Sequence, residues 1–331
     1  MPPRGTHAEE AGVSAERQPG GLRSWLFVPG DSERKQAKAL GTEADALILD
    51  LEDSVDPAQL PAARARVREL LAAHPQGSTP QLWVRVNPPH GSWREDLAAL
   101  FGAHGGRAGG AGRQGPDGVV LPKVSAPAEI VTVAEHLASL EKERGMVAGT
   151  TGLLVIATET PGGMLSLPQY PAPLGAARTA AVRLAGLTWG AEDLGAALGA
   201  SARHDASGAL TFTFALARTT CLLAAAALGV QAIDGVHVDF RDAAGLGRAL
   251  AEARRDGFSG KLAIHPDQVA PINAAFTPTE AERRHAQRVI AAFAAAGGAG
   301  VASLDGQMID RPHLLQARRV LSSSIGRNHR K

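Results

Sequence analysis

Short runs of apolar or β-branched residues recur along the chain at Trp25–Val28, Ala46–Leu49, Leu82–Val86, Gly118–Leu121, Leu153–Ala157, Leu184–Thr188, Ile233–Val236 and Leu262–Ile264. They are near-continuously hydrophobic and do not alternate, which is how parallel strands covered on both faces read, because neither face meets water. Stretches of helical composition lie between them, among them Glu33–Leu40, Ala62–Ala73, Ala126–Arg144, Thr213–Leu228 and Ala243–Asp256. About eight strand–helix units in one chain predict an α/β fold of the TIM (β/α)8-barrel type, ahead of an open doubly wound sheet. A dinucleotide-binding sheet would want a Gly-rich turn after an early strand, and Val28-Pro29-Gly30-Asp31-Ser32 carries one glycine.

Outside that pattern, residues 1–20 are polar and rich in Gly, Pro and charge, and are expected to form a disordered N-terminal tail, as are residues 322–331 at the other end. The catalytic barrel is then assigned to 21–290 and a C-terminal extension to 291–321. Ala291–Ala302 reads as a flexible Ala/Gly connector that either carries the extension away from its own barrel or lets it pack on the same subunit. Gly102–Gly118 reads as a Gly-rich surface loop.

Charged and special residues fall at the carboxyl ends of the runs. In order these are Pro29-Gly30-Asp31, Asp50-Leu51-Glu52-Asp53, Arg85 with Asn87, Pro122-Lys123, Glu159-Thr160-Pro161, Trp189-Gly190-Ala191-Glu192-Asp193, the stretch from Asp234 to Asp239, and His265-Pro266-Asp267. In a barrel all of these ends converge on one mouth, where this architecture builds its sites.

Composition narrows the partners. With 34 Lys+Arg against 33 Asp+Glu the net charge is +1, so the chain offers nucleic acid no long-range field, and a small anion must be held by local charges. No apolar stretch reaches the ~20 residues that span a bilayer, and no signal peptide is visible at the N-terminus, so a cytoplasmic protein with no membrane partner is expected. The single Cys221 excludes an internal disulfide and a cysteine-based zinc site, and within an apolar helical run it reads as a small buried hydrophobe.

The mouth so assembled holds several carboxylates and few cations. Clustered carboxylates need a counter-charge, and oxygen-only ligation suits Mg2+, with Mn2+ as an alternative ion. Glu159 and Asp193, each near glycine, are the strongest ligand candidates, whereas Glu52 and Asp53 equally fit loop caps or ion pairs. Arg85 fits a bidentate clamp on a substrate carboxylate, a structural pair with Glu52 or Asp53, or both. Lys123 could be a Schiff-base lysine or a charge partner, and the surrounding carboxylates disfavour the former. His265 could be a base, a ligand or a hydrogen-bonding loop residue; Pro266 beside it and the lack of a second histidine at i+4 favour the loop role, and His313 is similar.

Arg23-Ser24-Trp25-Leu26-Phe27-Val28-Pro29-Gly30, Leu49-Asp50-Leu51-Glu52-Asp53-Ser54-Val55, Val84-Arg85-Val86-Asn87, Leu121-Pro122-Lys123, Glu159-Thr160-Pro161, Gly190-Ala191-Glu192-Asp193-Leu194, Ala263-Ile264-His265-Pro266-Asp267-Gln268-Val269 and Asp305-Gly306-Gln307-Met308-Ile309-Asp310 resemble, in order, the motifs of the HpcH/HpaI aldolase and citrate lyase β-subunit family, malyl-CoA lyases included. The resemblance runs from about residue 22 to 320. It implies a Mg2+-dependent carbon–carbon lyase with acyl-CoA and a 2-oxo acid as its small-molecule partners. Glu159 and Asp193 would be the metal ligands, Arg85 would hold the oxo acid, and Gly190 and Ala191 would lie against the substrate. Lys123 would likewise lie against the substrate, and Asp50, Glu52 and Asp53 would support these groups. Asp310 would be the acid/base aspartate delivered from a neighbouring subunit of a homotrimer or a dimer of trimers. Arg23, His265 and Pro266 would line the path of the CoA arm.

Under that resemblance the leading expectation is cleavage or formation of a β-hydroxyacyl-CoA such as malyl-CoA or citramalyl-CoA. The alternatives are a citrate lyase β subunit working on a carrier-bound thioester, a malyl-CoA thioesterase or malate synthase outcome, and a non-catalytic scaffold. The Met308-Ile309-Asp310 extension favours the first, and unpaired carboxylates at a mouth argue against the last.

Overall fold

The computed structural model describes residues 21–75, 77–101, 115–297 and 300–325. The expected tail over 1–20 lies outside the described residues, as do most of the Gly-rich loop and most of the second tail. Eight parallel strands close into a barrel: β1 (Ser24–Pro29), β2 (Ala46–Asp50), β3 (Gln81–Arg85), β4 (Gly118–Leu121), β5 (Gly152–Ile156), β6 (Leu184–Thr188), β7 (Gln231–Asp234) and β8 (Gly260–Ala263). Closure is made by β8 on β1, with Trp25 opposite Leu262. Around it run α1 (Glu33–Leu40), α2 (Leu60–Ala73), α3 (Trp93–Leu100), α4 (Pro127–Glu143), α5 (Pro161–Ser166), α6 (Pro171–Ala176), α7 (Arg178–Ala181), α8 (Ala191–Leu198), α9 (Phe212–Leu228), α10 (Ala243–Asp256) and α11 (Val269–Ala275).

The unbroken hydrophobicity of the strands follows from two separate cores. One set of residues, including Trp25, Ile48, Trp83, Val120, Leu154, Ile233 and Leu262, packs inside the barrel. Their neighbours in sequence, among them Leu26, Leu47, Val84, Val119 and Val155, pack outward against helix residues such as Val67, Leu71, Ile130 and Phe214. Trp25 and Trp83 meet edge-on with ring centroids 4.9 Å apart. They plug the amino-terminal end of the barrel, and glycine makes room for them. A Cβ on Gly118 would come within 2.2 Å of the Trp83 ring, and one on Gly152 within 2.7 Å. With that end filled, the carboxyl ends of the strands form the open mouth.

Asp234, expected near the mouth, is turned away from it. It is buried against α9, where it accepts from Lys261 Nζ at 2.6 Å, Arg218 Nε at 3.1 Å and Trp189 Nε1 at 2.8 Å. A carboxylate at the end of a strand can face the helical layer when cations from the next strand and helix meet it there. Burial alone would raise this carboxyl, but the two cations outweigh it and hold it below its ordinary range. Cys221, on the same helix, is fully buried.

The C-terminal segment forms its own packing unit. Helix α12 (Glu280–Ala295), the hairpin of β9 (Val301–Leu304) and β10 (Gln307–Asp310), and α13 (Arg311–Ile325) enclose Ala286, Val289, Phe293, Ala302, Ile309 and Ala317. Ala291–Ala295 therefore completes a helix instead of opening a connector. Alanine is the best helix former, Thr279 and Glu282 cap the helix reciprocally, and Phe293 anchors its end in the small core. The unit begins at α12, ahead of residue 291, and α13 runs past 322. Arg254 of α10 reaches across to Glu282 of α12 at 2.6 Å. No helix among the described residues is long and apolar enough to cross a membrane.

The Asp234 cluster yields a stability prediction. Asp234→Ala strands Lys261 and leaves Arg218 to Asp256 and Glu252, and should cost about 3–5 kcal/mol in urea denaturation, with part of the loss recovered by adding Lys261→Met. Because the folded carboxyl sits below its unfolded value, its contribution is present above about pH 4 and disappears as the pH falls through the lower folded value. The gap between wild type and Asp234→Asn should therefore narrow on acidification; a gap that stays constant down to the acid limit would refute this reading.

Candidate active site

The mouth contains a cavity of about 600 Å³ whose walls include Phe27, Asp50, Asp53, Arg85, Glu159, Trp189, Gly190, Ala191, Asp193, Ile264, His265 and Pro266. Its organising contact joins β2 to β3. Arg85 Nε and Nη2 each bond one oxygen of Asp50 at 2.7 Å, a bidentate pair between the ends of adjacent strands. Asp50 also accepts from the amides of Glu52 at 3.0 Å and Ser54 at 3.1 Å, which bends the chain after β2 and sets Glu52 and Asp53 over the mouth. Burial would raise the Asp50 carboxyl, but the Arg85 fork overrides it and keeps it low. The guanidinium lies 4.9 Å from the centre of the Phe27 ring. Its remaining nitrogen, Nη1, stands 2.9 Å from Glu52 Oε2, out of line for a hydrogen bond, and 3.4 Å from Asp53.

Arg85 is thus paired structurally, but with Asp50 before Glu52 or Asp53. Nη1, which lies against Glu52 and Asp53, is the nitrogen that Asp50 does not engage.

Opposite stands Lys123, just past β4. Its Nζ lies 2.5 Å from Glu52 Oε1, 2.7 Å from Asp53 Oδ1 and 3.4 Å from Asp193 Oδ1, and its amide donates to Glu159 Oε2 at 2.6 Å. Burial pulls the ammonium toward neutrality, but Asp53 and Glu52 hold it above the usual lysine range, so it acts as a charge and not as a Schiff-base nucleophile. Glu159 is 4% exposed. Burial pushes its carboxyl up to about 8, opposed by the Lys123 amide and reinforced by Asp193. Burial likewise pushes Glu52 up to about 7, against Arg85 and Lys123.

Local sequence explains how Glu159 and Asp193 meet. Thr160 caps α5 by accepting from Gly163 N at 2.9 Å, ending β5 in a tight turn. A Cβ on Gly190 would fall 2.7 Å from Glu159 Cγ, so glycine there lets the backbone of the next strand end close over the carboxylate. Asp193 lies in the first turn of α8, where the helix dipole favours an anion.

Two carboxylates on one cavity wall, one buried and disfavoured as an anion, match the donor set a hard divalent ion offsets. Among the described residues no cluster of three or more His, Cys, Asp or Glu side chains is placed to hold a metal ion.

The other expected residues divide. His265 caps the turn that follows it, its Nδ1 accepting from Asp267 N at 3.3 Å, and stacks on Phe240 with centroids 4.5 Å apart. Pro266 adjoins it on the cavity wall. Arg23 is a correction. It precedes β1, roughly 20 Å of strand away from the mouth, with Nη2 and Nε bonded to Asp45 at 2.8 Å and Nη1 to Thr277 Oγ1 at 3.0 Å. A motif that straddles a strand puts its first and last residues at opposite ends of the barrel. Asp310 is not among the residues lining the cavity of its own chain; it ends β10, half exposed, with Oδ1 2.5 Å from His313 Nδ1. The sequence reading missed Arg34, Lys35 and Lys38, exposed on α1 and lining the outer cavity. Their signal was the placement of a basic helix directly after the first strand end.

The profile of the HpcH/HpaI aldolase/citrate lyase family matches residues 23–266, and that of carbon–carbon bond lyases of the TIM-barrel fold matches 217–325. The sequence is 36% identical over 307 residues to a (3S)-malyl-CoA thioesterase of Cereibacter sphaeroides, covering 92% of this chain and 94% of that one. It is 35% identical over 303 residues to citrate lyase subunit beta of Escherichia coli, covering 91% and 92%. The fold superposes with a TM-score of 0.67 on CitE from Mycobacterium tuberculosis in complex with magnesium, acetoacetate and coenzyme A, at 33% identity over 92% of this chain and 98% of that one. With one family profile spanning most of the barrel and relatives spanning nearly the whole chain, this protein belongs to the HpcH/HpaI aldolase/citrate lyase family and is a carbon–carbon lyase.

Proposed function

We propose that the chain is a Mg2+-dependent lyase that splits, or in reverse forms, a β-hydroxyacyl-CoA such as malyl-CoA or citramalyl-CoA, giving acyl-CoA and a 2-oxo acid. The observation that carries this reading is the convergence of Glu159, Asp193 and Arg85 on one cavity whose outer wall bears Arg34, Lys35 and Lys38. The inner set suits a small oxo acid and a hard cation. The outer cations suit the phosphates at the far end of a CoA arm.

Glu159 and Asp193 would hold Mg2+, or Mn2+ in its place, which when bound draws charge from the oxygen on the carbon whose bond breaks. Arg85 offers Nη1 to the substrate carboxylate while Asp50 keeps its plane fixed. Gly190 and Ala191 line the cavity at the N-terminus of α8, where the helix dipole favours anionic oxygen, while the Gly190 amide donates to Thr158 Oγ1 at 3.1 Å. In cleavage the electron pair of the carbon–carbon bond becomes an acyl-CoA enolate, and the net change moves the hydroxyl proton to the α-carbon. Asp310 is the group we assign to deliver that proton, and in reverse to remove it. Since Asp310 does not line its own cavity, the assignment requires the C-terminal unit of a second copy, as in a trimer. The kinship to citrate lyase subunit beta and to a malyl-CoA thioesterase makes two other outcomes worth scoring: carrier-bound substrate, and hydrolysis of the thioester.

Mass spectrometry of acyl-CoA plus 2-oxo-acid pairs incubated with Mg2+ should show a condensation product; release of free CoA alone would assign the hydrolytic outcome instead. Glu159→Gln and Asp193→Asn should each lower turnover about 100-fold or more and weaken Mg2+ binding in calorimetry, and retention of both properties would remove the metal assignment. Arg85→Lys keeps the charge but loses the fork, so kcat/KM should fall about 10- to 100-fold. Asp310→Asn should abolish α-proton exchange of acyl-CoA in D2O, followed by NMR, with Mg2+ affinity unchanged. Co-expressed with Glu159→Gln, it should regain activity, because one chain supplies the intact barrel and the other the intact aspartate; failure of that complementation would place Asp310 outside the reaction or within its own subunit.

A further inference from the structure

We propose that Lys123 is the positioning residue that keeps the metal site assembled before the metal arrives: its backbone amide fixes Glu159, and its ammonium serves as a resident counter-ion that gives up Asp193 on metal binding. The inference rests on the reading of Glu159 and Asp193 as ligands.

Backbone strain is the first observation. Among the described non-glycine residues only Lys123 and Asp305 have positive φ, at 52° and 53°. Asp305 is accounted for, since with Gly306 it forms the two-residue turn of the β9–β10 hairpin, where left-handed residues match the twist of the strands. Lys123 sits in no hairpin. A lysine gains nothing from the left-handed region by itself, and such strain persists only when the surroundings over-determine it.

The second observation is what the strained conformation accomplishes. It brings the amide to 2.6 Å from Glu159 Oε2 while the side chain of the same residue reaches Glu52 Oε1 at 2.5 Å, Asp53 Oδ1 at 2.7 Å and Asp193 Oδ1 at 3.4 Å. One residue thereby touches four carboxylates carried on three different strand ends. Arg85 cannot take this role, because its fork is engaged by Asp50. Without the ammonium, Asp193 and Glu159 would face each other and the Glu52–Asp53 pair with only Arg85 Nη1 nearby.

The graded distances indicate the order of release. Glu52 and Asp53 hold the ammonium tightly, whereas Asp193, the proposed ligand, holds it at the longest distance. A divalent ion on Glu159 and Asp193 can therefore take over Asp193 without unseating Lys123 from the other two. Metal binding is then an exchange of one cation for another at Asp193 within a preformed cage, and the affinity for Mg2+ is lowered by the ammonium that must give up that contact.

Variants at this position separate the two parts. Lys123→Gly keeps the left-handed backbone and the amide but deletes the ammonium. Calorimetry on the substrate-free protein should show its Mg2+ affinity raised by about tenfold. Its melting temperature should fall in EDTA and return toward wild type in saturating Mg2+. Lys123→Val deletes the ammonium and disfavours the left-handed backbone, so its Mg2+ affinity should drop below wild type; Lys123→Asn, which tolerates that backbone, replaces Lys123→Gly as a second folded test. Wild-type Mg2+ binding with Lys123→Gly and Lys123→Asn unchanged or weaker would overturn the counter-ion role. Lys123→Val binding as tightly as Lys123→Gly would overturn the backbone role. A wild-type protein that binds no Mg2+ would instead sink the ligand assignment itself, which is a separate result.

Discussion

The site depends on a problem of charge. Asp50, Glu52, Asp53, Glu159 and Asp193 are gathered at one barrel mouth, partly out of water, where like charges repel strongly and desolvation works against each anion. The bidentate Arg85–Asp50 pair resolves the first part of it. It ties β2 to β3, holds the turn that carries Glu52 and Asp53, and leaves those two acids facing Lys123. Lys123 in turn spans to Glu159 and Asp193 on the far wall. The two ligand candidates are thus the last members of a chain of alternating charges, and the residual negative charge collects where a cation would be bound.

This arrangement needs a scaffold that brings several strand ends together while the opposite pole stays closed. The tryptophan plug and the glycines that admit it close that pole. The asymmetry between a filled end and an open end separates stability from chemistry: the Asp234–Lys261–Arg218 cluster and the Arg23–Asp45 pair serve the first, and the mouth serves the second.

Much of this was legible in the sequence. Eight apolar runs mark the strands because burial on both faces leaves no polar position to interrupt them, and residues just past each run reach the mouth because all strands point the same way. One-dimensional position does not specify side-chain direction, strand polarity around a motif or helix continuity, and each of these hid something. Asp234 sits at a strand end like Arg85, yet faces the helices because Arg218 and Lys261 meet it there. Arg23 opens a motif whose other end, Pro29, is at the mouth, yet it lies at the closed pole. Ala291–Ala302 reads as a connector because alanine and glycine occur together, but its first residues, to Ala295, continue a helix that seats Phe293 in a core. The part Lys123 plays could not be read either, since its strained backbone becomes visible only when four acids from distant segments are seen around it.

The distribution of tryptophan has an optical consequence. Trp25, Trp83 and Trp93 are buried in the body of the barrel, whereas Trp189, hydrogen-bonded to Asp234, is the one whose ring environment belongs to the cavity wall. The intrinsic fluorescence of the chain therefore contains three emitters that report the integrity of the protein and one that senses occupancy of the mouth, so ligand entry can be followed without attaching a dye.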